Sequence, residues 1–173
     1  MSADDLRAKI REVPDFPKPG ILFYDITTLL KDAGAFKESI DLLTAPFSDR
    51  RIDVVVGMES RGFIFSAPMA YQLQAGFVPV RKLGKLPAET ISVEYALEYG
   101  TNTLEVHRDA IEKGQRVLVV DDLLATGGTV DGTIELVERL GGTVVGLAFL
   151  VELLFLKGRE QLKGRQIHSV IQY

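Results

Sequence analysis

At 173 residues, 46% hydrophobic and 25% charged, the chain has the size and make-up of a single soluble domain with a full core. A net charge of −4 with no basic block gives no sign of sequence-independent nucleic-acid binding, and no apolar run reaches the length of a membrane span. The absence of cysteine excludes disulfides and thiolate metal sites and fits a cytoplasmic protein. The start, MSADDLRAKIREV, is too polar and acidic for a signal peptide.

Residues 2–13 read as a first helix. Ser2 with Asp5 resembles a capping box, and Leu6, Ile10 and Val13 share a helical face. Next comes PDFPKPGILFYDIT, residues 14–27. Three prolines and Gly20 within seven residues forbid a helix and fix a bent, extended path. Ile21 to Tyr24 then reads as a small edge strand packed on the core. Phe36, Ile40, Leu43 and Phe47 predict a helix over 36–47, and Ile52–Val56 a buried strand ending at Gly57. MESRGF, residues 58–63, forms the turn before a further helical stretch that reaches Gln74. Met58 breaks the G-x-S-x-G pattern, so this turn is no nucleophile elbow. Phe77–Arg81 reads as a third strand. Residues 82–106 mix Lys82, Gly84, Lys85 and Pro87 with alternating segments, the composition of a mobile flap or a hairpin.

Val117–Thr129, VLVVDDLLATGGT, organises the rest. Val117–Val120 is apolar enough for a strand buried on both faces. Two adjacent carboxylates follow, Asp121 and Asp122. Then the small-residue turn Ala125-Thr126-Gly127-Gly128-Thr129 opens a helix marked by Val130, Ile134 and Val137. Unpaired amides and dipole at a helix N-terminus suit a phosphate, and glycine lets the backbone approach it. The carboxylates must face another part of the ligand. A ribose diol offers two donors to acceptor-only side chains. The stretch therefore reads as a site for a ribose 5-phosphate group; it is neither a P-loop nor a dinucleotide fingerprint. The helix ends near Gly141-Gly142, Thr143–Val151 is a long apolar strand, Lys157–Glu160 a short polar segment, and Ile167–Gln172 a final strand. Strands alternating with helices give an α/β fold with a central, mostly parallel sheet. His107 and His168 are isolated and read as surface or packing residues.

The string VLVVDDLLATGGT resembles the phosphoribosyl-diphosphate signature of the type I phosphoribosyltransferases. PDFPKPG followed by Ile21-Leu22-Phe23 resembles the N-terminal signature of the adenine phosphoribosyltransferases. The likeness runs from Pro14 to the end of the sequence. It implies one phosphoribosyltransferase domain over 1–173, with a base-binding segment at 14–30, a flexible hood at about 82–102 and the diphosphate motif at 117–129. By the same resemblance, Phe23 stacks on adenine, the backbone of Leu22 bonds its edge, and Leu123 completes the base site. Asp121 and Asp122 take the ribose, and Ala125, Thr126, Gly127, Gly128 and Thr129 take the 5-phosphate. Arg61 and Lys82 contact the diphosphate, and Arg61, Asp121, Asp122 and Glu98 form the catalytic set. Tyr99 closes over the sugar diphosphate, and Arg81 reaches a partner subunit's site. Many relatives carry Arg directly after the Phe, where this chain has Tyr24.

The activity so implied converts adenine and 5-phosphoribosyl 1-diphosphate into AMP and pyrophosphate. Mg²⁺ is carried mainly by the diphosphate rather than by a protein cage. The resemblance further implies a homodimer, with no nucleic-acid or membrane partner. Two alternatives stay open: transfer to another purine base, and a ligand-sensing regulator that keeps the fold.

Overall fold

The computed structural model describes residues 1–96 and 100–173. Ser2 caps helix α1 (Ala3–Arg7) reciprocally: its hydroxyl accepts from the Asp5 amide, and the Asp5 carboxylate accepts from the Ser2 amide. The helix stops at Arg7, short of the expected Val13. Five residues are too few to hold a helix on their own, and a competing partner takes over the following segment. Arg11–Val13 form strand β1, antiparallel to β2 (Phe23–Asp25), with Arg11 opposite Asp25. The Arg11 guanidinium donates to the Asp25 carboxylate at 3.0 Å from Nε. Leu6 and Ile10 are buried as the helical face required, but in two different local structures. The expected strand at 21–24 is thus the outer part of a two-stranded ribbon separate from the main sheet.

After α2 (Thr27–Leu30), Asp32 caps α3 (Ala33–Thr44) by accepting from the Ala35 amide at 3.0 Å. The last expected turn, Ala45–Phe47, tightens to a 3₁₀ helix containing Pro46. Proline has no amide for the Leu42 carbonyl four residues back. That carbonyl instead lies 3.0 Å from Nε2 of His168, which donates to it. The histidine is therefore a packing residue with a definite hydrogen-bonding task.

The remaining elements are β3 (Val54–Met58), α4 (Gly62–Leu73), β4 (Gly76–Lys82), β5 (Thr90–Ala96), β6 (Thr101–His107), β7 (Arg116–Leu124), α5 (Gly128–Arg139), β8 (Thr143–Glu152), α6 (Gly158–Gln161) and β9 (Ile167–Gln172). They build a seven-stranded sheet in the order β5-β6-β4-β3-β7-β8-β9. From β4 to β9 the pairs are parallel; β6 runs antiparallel to both β4 and β5. One core layer packs Leu6, Leu29, Leu43, Phe65 and Met69 against Leu118, Val120 and Leu150 of the sheet. The other packs Val130, Ile134 and Val137 of α5 against Val56, Val119 and Phe149. The central strands are apolar on both sides for this reason.

Two expectations change in extent. Strand β7 continues past Val120 to Leu124, because β8 keeps pairing with it as far as Leu124 opposite Glu152. The two aspartates therefore stand within a strand rather than beyond it. The flap-or-hairpin stretch is a hairpin, with β5 and β6 paired from Thr90 opposite His107 to Ala96 opposite Thr101. Its composition pointed to little burial, yet Val93, Leu104 and Val106 enter the core layer under α5. Residues 97–99 lie outside the described part.

Removing the His168 ring leaves the Leu42 carbonyl without its donor. His168→Ala should cost about 0.5–1.5 kcal/mol of stability, read as a lower urea midpoint with an unchanged slope.

Candidate active site

Two strand–turn–helix units open on one edge of the sheet. Strand β3 leads through Glu59-Ser60-Arg61 into α4, and β7 leads through Ala125-Thr126-Gly127 into α5. The strands are parallel neighbours, Gly57 opposite Val120, so the two turns stand side by side. This is where ligands gather in open α/β sheets. Arg61 bridges the turns: its Nε donates to Oδ2 of Asp122 at 2.6 Å. Asp122 is 7% exposed, whereas half of the Arg61 side chain faces solvent.

Asp121 meets a different environment. Its Oδ1 accepts from the Asp122 amide at 2.8 Å, and α4 presses close above it. A Cβ on Gly62 would stand 2.8 Å from that oxygen and 3.3 Å from the Val120 carbonyl. Burial pushes the Asp121 carboxyl well above the ordinary carboxylate range, and the neighbouring Asp122 pushes it further. Two adjacent aspartates thus have unlike environments, one paired with a cation and one held against ionisation.

The small-residue turn has the form expected of an anion site. Gly127 stands at the start of α5 with φ 91°, in the left-handed region, and no side chain caps the helix. The first amides of α5 are therefore available to a ligand. The turn rests on α6: a Cβ on Gly158 would lie 2.5 Å from the Ala125 carbonyl oxygen. The sequence reading passed over this support, since Lys157–Glu160 offered only a short polar segment.

Beside the paired Arg61 and Asp122 opens a crevice of about 180 Å³. Ile21, Leu22 and Phe23 form one wall, and Leu123, Val151 and Leu153 the other. The structure thus brings together Leu22, Phe23, Leu123, Arg61 and Asp122. The Phe16 ring meets Phe23 edge-on at 5.1 Å between centroids, and the Arg61 guanidinium carbon lies 5.9 Å from the Phe23 centroid. Such a slot, apolar on its faces and polar at one end, fits a flat heterocycle. Tyr24 also lines it and stacks on Tyr173 at 3.9 Å, with the Arg7 guanidinium 4.3 Å over the Tyr173 ring. Val151 and Leu153 carry no sign of this role in the sequence, because apolar residues near a strand end look the same in a site wall and in the core.

Glu59 links the arginine turn to the start of the hood. It accepts from the Lys82 amide at 2.8 Å and from Nη2 of Arg81 at 3.0 Å. The Lys82 amide foremost, aided by the Arg81 guanidinium, holds its carboxyl below the ordinary range. Within this single chain, Arg81 is turned onto its own Glu59. The Lys82 side chain is exposed at the end of β4. Glu98 and Tyr99 lie outside the described residues.

The profile described as "Phosphoribosyl transferase domain" matches residues 26–169. A curated relative from Acetivibrio thermocellus, named adenine phosphoribosyltransferase, is 62% identical over 170 residues, 98% of this chain and 99% of its own. The chain belongs to the adenine phosphoribosyltransferase family. The crystal structure of the family member from Thermoanaerobacter pseudethanolicus is 56% identical, with a TM-score of 0.96, over 99% of this chain and 100% of that one. The Saccharomyces cerevisiae adenine phosphoribosyltransferase, solved with D-2,5-dideoxy-2,5-imino-altritol 1,6-bisphosphate and adenine, is 41% identical with a TM-score of 0.92, covering 97% of each chain. The broad family profile begins at residue 26, so the ribbon carrying Phe23 falls outside it. Full-length relatives such as that from Acetivibrio thermocellus make the adenine-specific link.

A carboxyl whose pKa is raised by folding holds its proton more tightly in the folded chain. Stability is then lost as pH rises from the unfolded value near 4 through the raised one. Asp121→Asn removes that loss and can still accept from the Asp122 amide. It should therefore melt above the parent at pH 7, with the difference closing as the pH approaches about 4. Melting curves at several pH values check this.

Proposed function

We propose that the crevice and the two turns form one catalytic centre, which transfers the phosphoribosyl group of 5-phosphoribosyl 1-diphosphate to adenine, giving AMP and pyrophosphate. The observation that carries the reading is the meeting of the Arg61 turn, the Asp121-Asp122 pair and the uncapped start of α5 beside an apolar slot walled by Phe23 and Leu123. Family membership gives it weight, because the relatives named above are adenine phosphoribosyltransferases.

In this reading adenine lies against Phe23, with the Leu22 backbone at its edge and Leu123 across from it. The amides of Ala125–Thr129 hold the 5-phosphate, and Thr126 and Thr129 add hydroxyl donors. Asp121 and Asp122 accept from the ribose hydroxyls. Adenine N9 attacks C1 of the ribose; the C–N bond forms as the C–O bond to pyrophosphate breaks, and the N9 proton passes to Glu98 or to water. Positive charge grows on the ring beside the aspartates, and negative charge on the leaving group near Arg61 and Lys82. Arg61 has the fork geometry for phosphate oxygens. Glu98 faces the adenine imidazole ring and Tyr99 the sugar diphosphate when the hood closes; both residues lie outside the described structure.

Mg²⁺ arriving with the diphosphate would supply charge neutralisation to the leaving group, beside Arg61 and Lys82. The Asp122 carboxylate is engaged by Arg61, so the cation would be ligated mainly by diphosphate oxygens and water. Domain boundaries follow the same logic: base segment 14–30, hood about 82–102, diphosphate motif 117–129. A cytoplasmic homodimer, in which Arg81 exchanges Glu59 for the partner's site, completes the proposal. Among the described residues no helix is long and apolar enough to cross a membrane.

The two halves of the site should separate on mutation. Phe23→Ala removes a base stack worth about 1–3 kcal/mol, so KM for adenine should rise while that for the sugar diphosphate stays near the parent's. Gly127→Val should do the opposite, because a side chain there obstructs the turn. Unchanged adenine affinity with a sharply lower melting point would reduce Phe23 to a core residue.

Asp121→Asn with Asp122→Asn should abolish most turnover while circular dichroism stays native. Loss of the charge-assisted hydrogen bond from Asp122 alone is worth roughly 1.5–3 kcal/mol. Near-parental activity in the double variant would refute the ribose assignment.

A further inference from the structure

A charged group outside the crevice is buried behind the phosphate turn. Glu152, the last residue of β8, is 2% exposed. Its carboxylate takes both prongs of Arg159, Nε at 2.6 Å on Oε1 and Nη2 at 2.9 Å on Oε2. Oε2 also accepts from the Ser169 hydroxyl and, at 3.3 Å, from the Gln172 side-chain amide. The reaction uses none of these groups. The Arg159 side chain is itself 44% exposed, and a pair open to solvent on one side is a weak source of stability. Its geometry supplies a better reason for it.

Arg159 belongs to α6, and α6 is the surface on which the phosphate turn rests. A Cβ on Gly158 would lie 2.5 Å from the Ala125 carbonyl oxygen and 2.9 Å from the Leu124 side chain. A Cβ on Gly127 would lie 3.0 Å from the Gly158 carbonyl oxygen. Four residues cannot hold themselves in place as a helix, so α6 depends on its tie to the sheet. Glu152 is well placed to be that tie, because it pairs in register with Leu124, the residue just before the turn. The Leu153 amide donates to the Leu124 carbonyl at 3.0 Å, closing the frame.

We propose that Glu152, acting through Arg159, is a positioning residue that fixes α6 and thereby the height of the turn Ala125–Thr129. The proposal rests on the assignment of that turn to the 5-phosphate. It says that the pairing of buried Glu152 with Arg159 sets affinity for the phosphate end of the substrate and leaves the base slot alone.

Calorimetric titration of the full chain with ribose 5-phosphate, and separately with adenine, tests it without metal or turnover. Arg159→Lys keeps the charge but cannot fork onto both carboxylate oxygens. Gly158→Ala keeps the ion pair but pushes a methyl group at the Ala125 carbonyl. Each should weaken ribose 5-phosphate by about tenfold, the loss of roughly one hydrogen bond, with adenine affinity within about twofold of the parent. A purely structural role predicts otherwise: lower melting points with both ligands weakened in parallel, or ribose 5-phosphate affinity unchanged in both variants. Either result overturns the proposal. Gly127→Val serves as the control for the underlying assignment. If it leaves ribose 5-phosphate affinity intact, the turn does not bind the phosphate and both readings fall; if it abolishes affinity while the other two variants bind normally, only the role of Glu152 falls.

Discussion

The parallel pairing of β3 with β7 is the constraint on which the rest depends. Val54 stands opposite Val117 and Gly57 opposite Val120, with no offset between the strands. Parallel strands in such register end on the same edge, and a helix must carry the chain back across the sheet from each. The turn that begins α4 and the turn that begins α5 are therefore neighbours, although 61 residues separate Arg61 from Asp122. The close seating of α4 over Asp121 at Gly62 then fixes the height of the first turn, and α6 that of the second. A shift of one residue between β3 and β7 would invert the faces of both apolar strands and part the arginine from its carboxylate.

Much of this was legible because local signals agreed with the global arrangement. The apolar run Val117–Val120 lies in a buried strand and the glycine turn opens a helix, both as their short-range patterns predict. What escaped was decided at long range. The segment 8–13 has helical spacing, but the ribbon with Phe23–Asp25 supplies partners for its backbone that a one-turn helix could not. The hairpin looked too polar to bury, but only its alternate residues need an apolar surface, and α5 provides one. His168 gave no clue to its role because the carbonyl it serves is 126 residues away and is orphaned by Pro46.

The base slot shows the same division. Phe23 could be picked out through its signature, while the opposite wall at Val151 and Leu153 comes from the far end of β8 and the residue after it. Tyr24 stands where many relatives have Arg. Its stack with Tyr173 and Arg7 still brings a guanidinium to this corner of the molecule, from α1.

The ion pair between Arg61 and Asp122 gives the centre its own internal counter-ion. An arriving anion gains only the difference between two partnerships of the guanidinium, and it must leave the displaced carboxylate satisfied. Inorganic phosphate offers a replacement for the first partner but no diol for the second. The sugar diphosphate offers both, an anionic diphosphate for the arginine and ribose hydroxyl donors for the aspartate. Selectivity among the many phosphates of a cell can therefore arise from an exchange of partners that only a polyhydroxylated anion completes, independent of how strongly any single group is held.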